Sequence, residues 1–410
     1  MLLAIALVLS APAADVRRYF TEAEIRENHE FRRPRWMHAF ADQIVQAALF
    51  FALIGLRLDR RLADACAKAR LRSRLLERLW GDAGWAGAML FVLAYFGIAL
   101  AIDFPQDLYF NYFHLKKHGL SAQGFGRYAG LFARNAAFAA AALSFMAFGV
   151  YGLSRRTSRW WLLAGVPAAA LVGLAGLLDP ARAELDHRFT PLPESPTRAA
   201  LEQVLRRANV EHAGLFQIDA GRDTNTLDAF VVGQGPTRRI ALYDTLVREL
   251  SPREAAAVLA HELGHLAEGR SLRLLLAAAA VVPLLALIAF ALRRLGRTGR
   301  FGFRGDQDVA SLPAAMCIVW ILTSIAGPVS QADSRARERR ADDYALDLLR
   351  DPEAFRSAMV KVARRAKADL APPPLVVALL YSHPPAAERI GAAEAWAARH
   401  GVALPAGTAP

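Results

Sequence analysis

His261 to His265 read HELGH, two histidines four residues apart with a glutamate after the first. On a helix, positions four apart share a face, so both imidazoles can be presented to one metal ion. Glu262 is rotated by about 100° from His261 and can reach a water on that metal. Neutral imidazole suits zinc, and two histidines leave room for a third protein ligand and a water. Zinc lowers the pKa of that water, and the glutamate takes its proton as it attacks a carbonyl. Histidine is scarce in this chain, 10 in 410 residues, so a chance pairing at this spacing explains the motif poorly. The two cysteines, Cys66 and Cys317, argue against a thiolate zinc site or a disulfide framework. Any zinc must therefore be held by histidine and carboxylate.

A third ligand has to come from elsewhere. Glu338, in SRARERRADDYA, is the best candidate, with Asp342 four residues on along the same helical face and able to orient a ligand imidazole by accepting its second N–H. Glu268, seven residues past His261, is the weaker competitor. The same string also describes a solvated helix face of alternating charge. His383 and Arg389 lie in YSHPPAAERI, where an imidazole and a cation could polarise a scissile carbonyl or hold an oxyanion. A surface histidine and an arginine at a helix start account for that pair equally.

These residues need elements to position them, and the elements alternate between membrane and water. The composition is 54% hydrophobic with a mean hydropathy of +0.21, above the usual soluble range. Apolar runs fall at 42–58, 85–104, 131–153, 160–179, 272–292 and 309–329, several of them approaching the roughly 20 residues a span requires. The net charge is +12, and many basic residues flank these runs, as in RLDRRLADACAKARLRSRLLERLW and RRLGRTGRFGFRG. That placement suits lipid headgroups and membrane topology rather than nucleic acid, which is not an expected partner. Residues 1–14 are signal-like or a short first span, 15–179 an N-terminal membrane domain with about four spans, 180–271 the first part of a zinc domain, 272–329 two further spans, and 330–410 its second part. Within the zinc domain, PARAELDHRFTPLPESPT reads as a linker and TRAALEQVLRRANVE as an amphipathic helix. AGLFQIDA, LDAFVVG and RRIALYDTL read as short strands. SPREAAAVLAHELGHLAEG reads as a helix with Ser251 as N-cap, Pro252 in its first position and Glu254 completing a capping box.

HELGH, then SRARERRADDYA, then SHPPAAERI, in this order, resembles the type I CAAX prenyl protease family of integral-membrane zinc metalloendopeptidases. ELDHRFTPLPE, LDAFVVG followed by RRIALYDTLV, and FNYFHLKKHGLS extend the likeness over about residues 15–395. The resemblance implies a mainly α, multi-span helical membrane protein with a gluzincin-like zinc metalloprotease domain carrying a small β-sheet. It implies His261, His265 and Glu338 as ligands of one Zn²⁺ per chain, Glu262 as general base, Asp342 behind a ligand, and His383 and Arg389 against the transition state. The family's substrate-pairing Asn on the edge strand falls at Asp228, which keeps an acceptor but loses the amide donor; Asn225 is nearby. The expected substrate is a peptide or protein, prenylated or membrane-embedded.

Two other readings remain open at this stage: a quality-control protease of the HtpX type, and a sensor or scaffold that zinc merely stabilises. An intact Glu262 argues against the second, since a purely structural site needs no base. The chain is expected to be a multi-pass protein of the cell (inner) membrane, with the bilayer as a partner. On the sidedness of the zinc domain two arguments conflict. The Lys/Arg bias of the short loops places it outside, which is the reading preferred here, whereas the resemblance implies the cytosolic face.

Overall fold

The computed structural model describes residues 13–407 apart from 70, 72, 234 and 270. All but the last two residues of the signal-like 1–14 segment lie outside the described residues. The chain is mainly helical with one four-stranded sheet. Six long helices form the bundle: α1 (Glu22–Gly55), α4 (Trp85–Asp107), α5 (Phe125–Arg156), α6 (Trp160–Asp186), α10 (Ser271–Arg297) and α11 (Leu312–Leu349). The short helices α2 (Leu58–Cys66) and α3 (Arg74–Trp80) join α1 to α4. Five of the six are long and apolar enough to cross a membrane, and α6 contributes a shorter apolar stretch, Trp160–Gly173, among the described residues. Ile44, Phe51 and Phe145 on these helices are large apolar side chains left exposed, the last at 84%. The protein is a multi-pass membrane protein.

The part that carries HELGH, the zinc domain of the sequence reading, draws its elements from both halves of the chain. Its sheet runs β1 (Phe189–Pro191), β2 (Gly214–Ile218), β4 (Arg239–Tyr243) and β3 (Ala229–Val232) in spatial order. The pair β2–β4 is parallel and the two outer pairs are antiparallel. Around it pack α7 (Pro196–Arg207), α8 (Asp244–Glu249), α9 (Pro252–Ala267), the C-terminal half of α11, α12 (Pro352–Arg365), α13 (Pro374–Leu380) and α14 (Ala386–Arg399). Leu201, Ile240, Leu242, Leu259, Phe355, Ile390 and Trp396 form one continuous apolar core.

Three stretches differ from their sequence reading. The string read as a linker is the end of α6 followed by β1. The last apolar run and SRARERRADDYA form a single helix, α11, so the span continues unbroken into the zinc domain. Helix α1 starts at Glu22, well ahead of its apolar run, because Thr21 and Glu24 close a capping box there. The polar residues before and within its first turns are held by the zinc domain. Phe20 is buried in that core. Tyr19 Oη accepts from Arg356 Nη1 at 3.0 Å, and Arg32 donates to the carbonyls of Ala366 and Lys367.

Candidate active site and metal centre

Helix α9 carries HELGH, and its start follows the local sequence. Ser251 accepts from the Glu254 N–H, Glu254 Oε2 accepts from the Ser251 N–H at 2.7 Å, and Pro252 occupies the first turn. Burial raises the Glu254 carboxyl, but Lys361 Nζ at 2.7 Å, Ser357 and Ser251 hold it below the usual glutamate range, so the cap stays ionised. Helix α9 then crosses α11 very closely. A Cβ at Gly264 would lie 2.7 Å from the Ala341 Cα, so only glycine permits this crossing.

That approach brings three ligating groups together. Glu338 Oε2 lies 3.3 Å from His261 Nε2, and Glu338 Oε1 lies 3.2 Å from His265 Nε2. One ligand atom from each residue falls within 4.8 Å of the other two. Glu338 Oε2 is buried and makes no hydrogen bond, although His261 is close. A buried acceptor left unsatisfied is costly unless a cation completes it. The donor set, two imidazoles and one carboxylate, is one that zinc accepts. Glu268 sits apart, paired with Arg340.

The groups behind the trio fix its orientation. Asp342 Oδ1 is 2.8 Å from His261 Nδ1 and can accept its N–H, leaving Nε2 to face Glu338. Arg389 is half-buried and donates twice to Asp342, through Nη2 at 2.6 Å and Nε at 2.9 Å. Burial and Arg389 push the His261 imidazolium down, but the Asp342 and Glu338 carboxylates outweigh them and hold it up at about 9. Carboxylates gathered so closely on one imidazole create a site that favours positive charge. Arg335 donates to the carbonyls of Val377 and Tyr381, clamping the end of α13 and so the start of the His383 segment. Arg339 holds Glu388 at 3.0 Å on α14.

Glu262, His261, Asp228, His383 and Arg389 line one cleft of about 580 Å³. Burial raises the Glu262 carboxyl above its ordinary value, partly opposed by His261. His383 Nε2 is 3.5 Å from Glu338 Oε1 with its ring largely exposed, and its Nδ1 meets Ser382 Oγ at 2.9 Å. Asp228 stands at the entry to the edge strand β3, which pairs with β4 alone among the described residues. Burial pushes its carboxyl up to about 6 against the Ala229 N–H that it accepts. Asn225 is turned away from the cleft: its side-chain amide donates to the Gly119 carbonyl. The cleft also holds residues that sequence reasoning missed, Arg32 from α1, Asp369 and Tyr381 among them. No motif marks Arg32 or Asp369, which reach the cleft through tertiary packing, and Tyr381 opens the YSHPPAAERI string without having a role of its own there.

A helix-borne histidine pair and a carboxylate from a second helix, beside a half-buried glutamate that lines a cleft reaching the start of the edge strand, describe a metal-dependent hydrolase set at the end of a membrane bundle. Peptidase family M48 matches residues 191–397, and the chain belongs to that family. It is 28% identical over 247 residues to the uncharacterized metalloprotease YhfN of Bacillus subtilis (strain 168), covering 59% of this chain and 58% of that protein. It is 30% identical over 218 residues to a CAAX prenyl protease 1 homolog of Oryza sativa subsp. japonica, covering 52% of this chain and 50% of the other. The chain thus spans less than two thirds of the length of either relative. In fold it is similar to S. mikatae Ste24p, with a TM-score of 0.80 at 17% identity, over 96% of this chain and 94% of the other.

Proposed function

We propose that this chain is a zinc endopeptidase that hydrolyses peptide bonds in membrane-associated substrates, CAAX-type lipidated proteins among them. The observation that carries the reading is the meeting of His261, His265 and Glu338 beside Glu262, which lines a cleft that reaches Asp228 at the entry to β3. In this reading those three residues hold one Zn²⁺ per chain. When bound, the ion supplies Lewis acidity at the scissile carbonyl and acidifies a water. The residues of the chain do the rest. An extended substrate lies along the free edge of β3, where backbone pairing sets its register. Glu262 accepts a proton from the attacking water and returns it to the leaving amine. The raised carboxyl suits that traffic, because a base works best with a pKa near the working pH. His383 faces the cleft from the opposite wall and holds the oxyanion. Arg389 reaches the same cleft and steadies His261 through Asp342, with Nη1 outside those bonds.

Two observations support a substrate close to the lipid. Helix α10 leaves the zinc helix only a few residues past His265, and α11 carries its apolar run directly into Glu338. A cut made here falls near the bilayer surface. The relative named a CAAX prenyl protease 1 homolog supports prenylated chains as one substrate class, and the expected location is the cell (inner) membrane.

The test is cleavage of casein and of a prenylated peptide by the purified protein, with and without a chelator, beside Glu262→Gln. The variant should keep its zinc and lose about 10²–10⁴-fold in turnover, the usual weight of a general base. Near-normal cleavage by Glu262→Gln would sink the mechanism. Comparing the membrane proteomes of cells carrying wild type and Glu262→Gln then separates lipidated substrates from damaged membrane proteins of the quality-control kind.

A further inference from the structure

At the opposite end of the bundle, a cavity of about 910 Å³ is lined by Arg60, Arg155, Arg156, Arg293, Arg297 and Arg304. Helix α10 links the two ends: it starts beside the zinc helix and ends at Arg297, and its 27 residues span roughly 40 Å. Three carboxylates share the cavity and are already engaged. Asp308 takes Arg60 at 2.8 Å, Asp82 takes Arg155 at 2.7 Å, and Asp306 takes Arg293 at 2.8 Å. Arg156 donates to the Arg78 carbonyl. The Arg297 and Arg304 side chains form no ion pair among the described residues.

Close packing builds this concentration of charge. A Cβ at Gly296 would lie 2.5 Å from the Gly305 nitrogen and 2.6 Å from the Arg304 carbonyl carbon, so the glycine lets the 304–305 backbone press on α10 and sets Arg304 near Arg297. Asp306 is buried at the base and also accepts from the Trp160 indole N–H at 2.6 Å. Beneath lies a second apolar core containing Trp80, Phe91, Tyr151 and Leu292, with Arg155 stacked 4.8 Å above the Trp80 ring. Guanidinium groups gathered with too few acids repel one another, and a bound anion relieves that cost. The depth also identifies the anion. The arginines lie at the ends of α5 and α10 beside tryptophans, the level of a bilayer where headgroups sit.

We propose that this cavity binds a phosphate-bearing anion, either the headgroup of an anionic phospholipid or free phosphate. Planar guanidinium forks match phosphate oxygens. A zwitterionic headgroup brings its own cation into a cavity already rich in positive charge and should bind less well.

The test uses the purified full-length protein in detergent, by native mass spectrometry with dioleoylphosphatidylglycerol and dioleoylphosphatidylcholine and by thermal melting with inorganic phosphate. Wild type should retain phosphatidylglycerol at a midpoint at least about tenfold below that for phosphatidylcholine. Arg297→Gln combined with Arg304→Gln removes the two arginines that form no ion pair among the described residues, so the fold and detergent-phase peptide cleavage should persist. It should cost roughly fivefold in phosphatidylglycerol binding for each arginine removed. Displacement of the lipid by millimolar phosphate, with a matching rise in melting temperature, assigns the site to the free anion; lipid retention unaffected by phosphate assigns it to the headgroup. Equal retention of both lipids with no response to phosphate overturns the proposal, as does a folded double variant that holds phosphatidylglycerol as tightly as wild type.

Discussion

Glu338 faces two histidines at once, 3.3 and 3.2 Å away, and its unsatisfied oxygen makes it the residue on which metal occupancy should turn. Glu338→Ala is expected to strip zinc from the purified protein, whereas Glu268→Ala should leave zinc in place, since Glu268 is engaged with Arg340. Metal analysis of both variants checks this, and full zinc in Glu338→Ala would move the third ligand elsewhere. Asp228 offers a second test. Its carboxyl is pushed up to about 6, so at neutral pH it is an anion, and that charge raises Glu262. Glu262 works as a base only when ionised, so activity should fall as pH drops through its raised pKa. Asp228→Asn removes the charge, lets Glu262 ionise at lower pH and should move the acid limb of kcat/KM downward. It also restores an amide donor at the strand edge, which should raise activity or change peptide preference. An unmoved limb and an unchanged preference across a peptide panel would place Asp228 outside the chemistry. His261, Glu262, His383 and Arg389 were legible in the sequence because their types and spacings are local signals, and they line one cleft. Arg32 and Asp369 carried no such signal, since their place depends on contacts more than 300 positions apart in the chain.

At the level of elements, the site depends on how closely α9 and α11 cross. Gly264→Ala puts a methyl within 2.7 Å of the Ala341 Cα, and backbone cannot yield as a side chain can. Overpacking of this kind costs about 1–3 kcal/mol. The separation should also pull Glu338 from the histidines, so both the melting temperature in detergent and the zinc content should fall. Gly327→Ala, on the same α11 with open space around it, is the control and should change neither. A variant that melts and binds zinc like wild type would show that the crossing has slack. The start of α9 was legible because a capping box and an N1 proline are written within four residues. The strands β2, β3 and β4 were legible from apolar runs bounded by turns. The continuation of α6 into β1, and of the last span into SRARERRADDYA, was not. Proline and charge in PARAELDHRFTPLPESPT imitate a linker, and SRARERRADDYA reads as a separate helix because its charge breaks sharply from the apolar run before it. Likewise the polar string 15–41 gives no sign that Phe20 and Tyr19 belong to the core of a domain formed more than 150 residues later.

For the whole molecule, the open question is which side of the membrane holds the zinc domain. The charge argument depends on the count of crossings: among the described residues five helices are long and apolar enough to cross a membrane, and α6 carries a shorter apolar stretch. Helix α1 is held at one end by the zinc domain, through Arg32 to Ala366 and Lys367, and Arg57 just past its other end donates to the Gly299 and Arg300 carbonyls in the arginine-rich region. It therefore runs the full depth of the bundle, although its apolar run is weak. The loop after α4 also returns to the zinc domain, with Arg127 Nη2 2.6 Å from Asp223 Oδ2 and Asn225 on the Gly119 carbonyl. One end thus gathers the zinc domain, the N-terminal arm and this loop. The other gathers Arg60, Arg61, Arg74, Arg78, Arg155, Arg156, Arg159, Arg293, Arg294, Arg297, Arg300 and Arg304 in short connections. Arginines of the arm do not offset that bias, because they serve the folded domain: Arg18 pairs with Glu394, and Arg32 caps carbonyls. Lys and Arg in short loops stay in the cytoplasm, so the zinc domain is predicted to face outward. Single cysteines, in a chain with Cys66 and Cys317 changed to Ala, test this in intact cells: Gln203→Cys on exposed α7 and Thr298→Cys in the arginine-rich loop. A membrane-impermeant maleimide should label position 203 and spare position 298 until lysis. The reverse pattern would put catalysis in the cytoplasm and show that the folded zinc domain, rather than the loop arginines, decides orientation.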